Sequence, residues 1–105
     1  MNELEDFHLT LYHAKLRLLP DVPGSSINLW DRSIQRDIDA LYHLNPEKEI
    51  QAYYLAARDY FGKRVPHEGI IASLKSCLKE NLSKEGFTFV FYNRLNALVK
   101  KCTPG

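Results

Sequence analysis

The side chains best able to do chemistry in this 105-residue chain are spaced so that they stay apart. Its four histidines, His8, His13, His43 and His67, never fall at the i, i+4 step by which one helix face presents two imidazoles to a metal ion. Cys77 and Cys102 have no cysteine or histidine at a zinc-binding distance in sequence. His67, at a predicted helix start, is expected to be exposed rather than ligating, and Cys77, on an apolar stripe, packed rather than reactive. Asp37 and Asp39 are two residues apart, so on a helix they diverge and cannot share a proton. The five glycines stand singly at positions 24, 62, 69, 86 and 105, which leaves no phosphate-cradling loop, and there is no nucleophile elbow. The sequence therefore predicts a protein without catalytic residues, metal ligands, cofactor or small-molecule substrate.

Composition bounds the scaffold. A hydrophobic fraction of 45% with 26% charged residues is that of a globular chain. Six tyrosines and five phenylalanines give a small core large apolar surfaces to bury. The length suits one domain over residues 1–105. No apolar run approaches the roughly 20 residues that span a bilayer. The first six residues carry three acids and no base, the reverse of a secretory or mitochondrial leader. With only two cysteines and no disulfide framework, the expectation is a reducing cytoplasm. Net charge is +1, but residues 1–52 hold 5 basic against 9 acidic residues and residues 53–105 hold 9 against 4. An acidic half joined to a basic half can orient a partner, or stack head to tail with copies of itself.

Periodicity supplies the elements that must position these groups. Leu4, Phe7, Leu11, Ala14 and Leu18 recur at helical steps, predicting a first helix over about Leu4–Leu19. Leu9, Tyr12, Leu16 and Leu19 add a second stripe, so this helix is apolar over more than half its girth and is either central or paired with another protein. Pro20–Ser26 reads as a loop. A second helix over about Asn28–Leu44 would bury Ile27, Trp30, Ile34, Ile38 and Leu41, with Ser26 or Asn28 as its cap. Asn45 and Pro46 open a third, about Pro46–Phe61, with Gly62 at its exit. A fourth runs over about His67–Leu82, and a fifth, capped by Ser83, over about Lys84–Cys102. Phe87–Tyr92 alternates like a strand, but Phe87, Phe91, Leu95, Leu98 and Cys102 hold a helical period for four turns, and helix is the reading taken. The predicted fold class is all-α, a compact bundle of about five helices.

Two surfaces of that bundle are candidates for function, the first the leading reading and the second its alternative. On the last helix, Phe89, Asn93, Asn96 and Lys100 fall opposite the core stripe, with Arg94 and Lys101 aligned along one flank. Cations meet phosphates, amides bond phosphate or sugar oxygens, and a ring stacks on a base, so this strip has the composition of a nucleic-acid backbone contact, DNA or RNA. Lys75 and Lys79, with Lys63 and Arg64, could extend the track. The candidate nucleic-acid residues are Lys75, Lys79, Phe89, Asn93, Arg94, Lys100 and Lys101. The second surface is a protein interface formed by Leu9 and Leu16 of the first helix and by Leu55, which lies on the far side of the third helix from its tyrosines.

Two family resemblances follow. The chain's size, its helices and the cationic helix Phe89-Val-Phe-Tyr-Asn-Arg-Leu95 ending in Lys100-Lys101 resemble the small helical subunit of CRISPR Cascade-type effector complexes. That resemblance implies a non-enzymatic antiviral-defence subunit that stacks along an assembly and touches nucleic-acid backbone without reading sequence. Leu11-Tyr12, early in the first helix, is similar to the motif of the LYR mitochondrial assembly adaptors, with His13 where that family carries arginine. This second resemblance implies an adaptor or inhibitor docking a protein partner through the first helix.

Overall fold

The computed structural model describes residues 3–18, 31–45 and 48–102, and its described part is an all-helical bundle without strands. The helices are α1 (Glu3–Arg17), α2 (Arg32–Tyr42), α3 (Ile50–Phe61), α4 (His67–Lys79) and α5 (Lys84–Cys102), with a 3-10 turn over Gly62–Arg64. The alternating Phe87–Tyr92 segment is helical. Its strand-like composition yields to tertiary packing, because Phe87, Phe91 and Leu95 turn together into the core.

Helix ends differ from the sequence reading where side chains reset them. Helix α2 opens at Arg32 because the Asp31 carboxylate accepts the Ile34 N–H at 3.0 Å and the Ser33 hydroxyl at 3.0 Å. The expected caps Ser26 and Asn28, the buried positions Ile27 and Trp30, and Leu19 with the 20–26 loop lie outside the described residues. Helix α3 opens at Ile50 rather than Pro46, which also lies outside them; its early Gln51 N–H donates to the Tyr42 hydroxyl at 3.2 Å. Helix α4 ends at Lys79, short of Leu82, since Asn81 adopts a left-handed φ of 52°. Gly62 has φ 60°, as a glycine exit requires, and the Ser83 hydroxyl accepts the Gly86 N–H at 3.1 Å at the start of α5.

Helix α3 is the axle. Ala52, Tyr53, Tyr54, Leu55, Ala56 and Ala57 are all buried, because α1, α2, α4 and α5 close round it. This overturns the expected role of Leu55: at 4% exposure it is core and cannot meet another protein. Aromatic rings bind α1 and α5 to this axle. Phe7 lies 5.6 Å from Tyr60, 6.1 Å from Phe91 and 5.4 Å from Tyr92, and Tyr53 lies 4.7 Å from Phe87. Tyr92 donates to the Glu3 carboxylate at 3.0 Å; burial first, then the neighbouring Tyr60 phenol and Glu3, push its hydroxyl's pKa far up, so it stays a donor. Helices α4 and α5 approach closely at Gly69, where a Cβ would stand 3.1 Å from Leu98 Cδ1.

Replacing the fully buried Phe7 with alanine should cost about 3–5 kcal/mol, read from urea denaturation. The Asp31 cap gives a pH signature. The Ile34 N–H, then the Ser33 hydroxyl, hold its carboxyl below the ordinary aspartate value. Since the folded value is the lower one, the stabilisation is complete above the unfolded carboxylate range and is lost as pH falls through the folded value. Asp31→Asn should therefore be less stable than the parent near neutrality, with the gap narrowing in acid in melts at stepped pH.

Candidate interaction surfaces

Helix α1 turns Phe7, Leu11 and Ala14 inward onto α3 and α5. At about 100° per residue the opposite side of such a helix carries Glu5, Leu9, Tyr12 and Leu16. The structure leaves Leu9 56%, Tyr12 58% and Leu16 47% exposed. These are three of the five large apolar side chains exposed among the described residues, and they occupy consecutive turns of one helix. Beside them, between α1 and α5, lies an open groove of about 220 Å3 with Leu11, Tyr12, Tyr53 and Thr88 below and Lys15 and Lys84 at its rim. The other two exposed apolar residues, Leu44 and Phe89, stand singly on other parts of the bundle.

The α5 strip is assembled only in part. Phe89 (47% exposed), Asn93 and Lys100 share the outward side of the helix, and the Asn93 amide donates to the Phe89 carbonyl at 2.9 Å. Arg94 is turned away from this strip onto α4. Its guanidinium meets the Glu80 carboxylate at 2.6 Å, the Ser76 hydroxyl at 2.6 Å and the Cys77 sulfur at 3.5 Å. Sequence reading placed Arg94 among the phosphate contacts; the structure commits it to a charge-assisted clamp between two helices, because α4 and α5 run side by side and bring Glu80 within reach. Arg64 is likewise folded back, donating to the Phe61 carbonyl at 3.0 Å and the Tyr60 carbonyl at 3.1 Å. Lys75 lines a depression between α2 and α4 with Asp37, Leu41, Leu44 and Ile71. Lys79, Lys100 and Lys101 are exposed, and among the described residues they and Lys75 take part in no ion pair.

One constellation escaped the sequence reading. The Tyr54 hydroxyl lies 2.7 Å from His67 Nδ1, and His67 Nε2 lies 2.8 Å from the Asp37 carboxylate. A neutral imidazole carrying its proton on Nε2 satisfies both contacts, donating to Asp37 and accepting from the phenol. His67, expected to be exposed, is thus a strut joining α2, α3 and α4. The connectivity matches the acid–imidazole–hydroxyl order of hydrolase triads, but Tyr54 is 1% exposed, so its hydroxyl meets no substrate. Residues 30 and 13 positions apart in sequence carry no local signal of such a contact. Burial pushes the Cys77 thiol up in pKa, against the opposing pull of Arg94, which keeps it in the unreactive thiol form. Among the described residues no three histidine, cysteine or acidic side chains converge as metal ligands, and no helix is long and apolar enough to cross a membrane.

Comparison with protein-family models, with curated proteins and with solved structures finds no match to this chain.

Tyr54→Phe should remove the hydroxyl partner of His67 and lower stability by about 1–2 kcal/mol while leaving helical circular dichroism unchanged.

Proposed function

We propose that this chain is a non-enzymatic interaction subunit, an adaptor or inhibitor that docks another protein along the outer face of α1. The observation that carries this reading is the half-exposed stripe Leu9–Tyr12–Leu16, which lies opposite a core face already filled by Phe7, Leu11 and Ala14. A solvated helix face places polar groups at such positions; a face that keeps large apolar groups in water gains by being covered. The buried free thiol of Cys77 suits a reducing cytoplasm for this work.

A second reading is favoured by a separate observation. Phe89, Asn93 and Lys100 share one exposed strip, with Lys101 near its end, and these lysines hold no ion pair among the described residues. Nucleic-acid backbone contacted there without sequence preference would suit the resemblance to Cascade-type small subunits. With Arg94 clamped on Glu80 and Lys75 turned toward α2, this surface is the weaker of the two.

A photoreactive benzoylphenylalanine at Leu9 or Leu16 should form a discrete protein adduct in the native cell, and one at the exposed Ala72 or Ala97 should not. Leu16→Asp should abolish the Leu9 adduct while the fold persists. No adduct of any size from either position would end the docking reading. For the strip on α5, a gel shift with single- and double-stranded DNA and RNA should appear at low salt and fade as salt rises. Lys100→Ala and Lys101→Ala should each lower the salt slope by about 1, equally for all sequences. Absence of a low-salt shift discards the nucleic-acid role.

A further inference from the structure

Resting on the docking role of α1, we propose that the occupant of its outer face is the same face of a second copy of this chain, packed antiparallel about a two-fold axis.

The stripe has the symmetry this requires. Glu5, Leu9, Tyr12 and Leu16 are separated by steps of four, three and four, the spacing of a helix–helix seam, and that spacing, though not the residue order, is the same in either direction, so Glu5 of one copy faces Leu16 of the other at each end. An isologous contact uses one patch against itself, so the patch must be self-complementary. In an antiparallel pair Leu9 of one copy meets Tyr12 of the other, twice.

Charge runs along α1 in the same sense. Its first turn holds Glu3, Glu5 and Asp6, and its last turn holds Lys15 and Arg17. Antiparallel packing sets each acidic turn beside the other copy's basic turn, whereas parallel packing would set like against like. On one flank of the seam Asp6 and His13 follow at about 100° per residue, so Asp6 of each copy lies beside His13 of the other. On the opposite flank are His8 and Lys15; Lys15 also pairs with Glu49 of its own chain at 2.9 Å and Arg17 with Asp59 at 2.8 Å, so the flank that carries the charge match is the one with Asp6 and His13.

Head-to-tail stacking, by contrast, needs a second, different apolar patch to receive α1. Among the described residues the other large exposed apolar side chains, Leu44 just past the end of α2 and Phe89 on α5, stand singly. The α1 face is small: three half-exposed apolar side chains fall short of the roughly 800 Å2 per partner typical of stable complexes, so the dimer is reversible and concentration-dependent.

Sedimentation equilibrium over a wide concentration range tests this. The average mass should climb from one chain toward two and stop there. Leu9→Asp and Leu16→Asp should stay at one chain with unchanged circular dichroism. Asp6→Lys should weaken the dimer at least several-fold, and the double variant Asp6→Lys, His13→Glu should restore it, since each new lysine then faces a new glutamate. Rescue marks the antiparallel arrangement; failure of rescue overturns it. A mass that passes two chains overturns the two-fold pair in favour of stacking. A chain that stays single at every concentration, while the Leu9 photoadduct joins it to a different protein, overturns self-pairing and leaves the docking role standing. A single chain with no adduct removes both.

Discussion

The enclosure of α3 over Ala52–Ala57 is the constraint on which the rest of the bundle depends. A helix buried on every side must be walled by its neighbours, and each wall helix then has one face inward and one face in water. For α2, α4 and α5 the outward faces are chiefly polar or small. Helix α1 is different because large apolar side chains lie on both of its sides. Its inner side is fixed by the Phe7 ring set among Tyr60, Phe61, Phe91 and Tyr92, so rolling the helix to hide the other stripe would empty the aromatic cluster. The exposure of Leu9, Tyr12 and Leu16 is therefore imposed by the core.

Polar contacts hold the wall helices in register rather than supplying most of the stability. Lys15–Glu49 at 2.9 Å and Arg17–Asp59 at 2.8 Å tie α1 to the two ends of α3, and both are substantially solvated. Exposed pairs of this kind are worth about 0–1 kcal/mol each. The Arg94 clamp and the Tyr54–His67–Asp37 strut are less exposed and join elements that the chain alone does not hold together. Their common effect is to give titratable and cationic side chains partners within the chain that sequence alone does not reveal.

Helix number, order and inward residues were legible from periodicity, because Phe7, Leu11, Ile38, Phe87, Phe91 and Leu95 repeat at the helical step and all are buried. The fate of Leu55 was not. It is on the far side of its helix from the tyrosines, and only the number of neighbours decides whether a far side is wet or dry. The ion pair of Arg94 was not legible for a related reason: its partner Glu80 stands at the end of α4, across a turn whose geometry depends on the left-handed Asn81. The second stripe of α1 was visible in the sequence as an excess of apolar girth, and coordinates were needed to show which of the two stripes the bundle covers.

The bond from Tyr92 to Glu3 spans 89 residues, and Phe7 is covered by Phe91 and Tyr92 from the same late segment. During translation, at roughly 5–20 residues per second, α1 emerges many seconds before these rings exist to shelter it. Throughout that interval both of its greasy sides face water, and the nascent polypeptide presents a segment that a chaperone, or a finished copy of the chain, can hold. The order of synthesis thus leaves this segment in need of company before the molecule is whole.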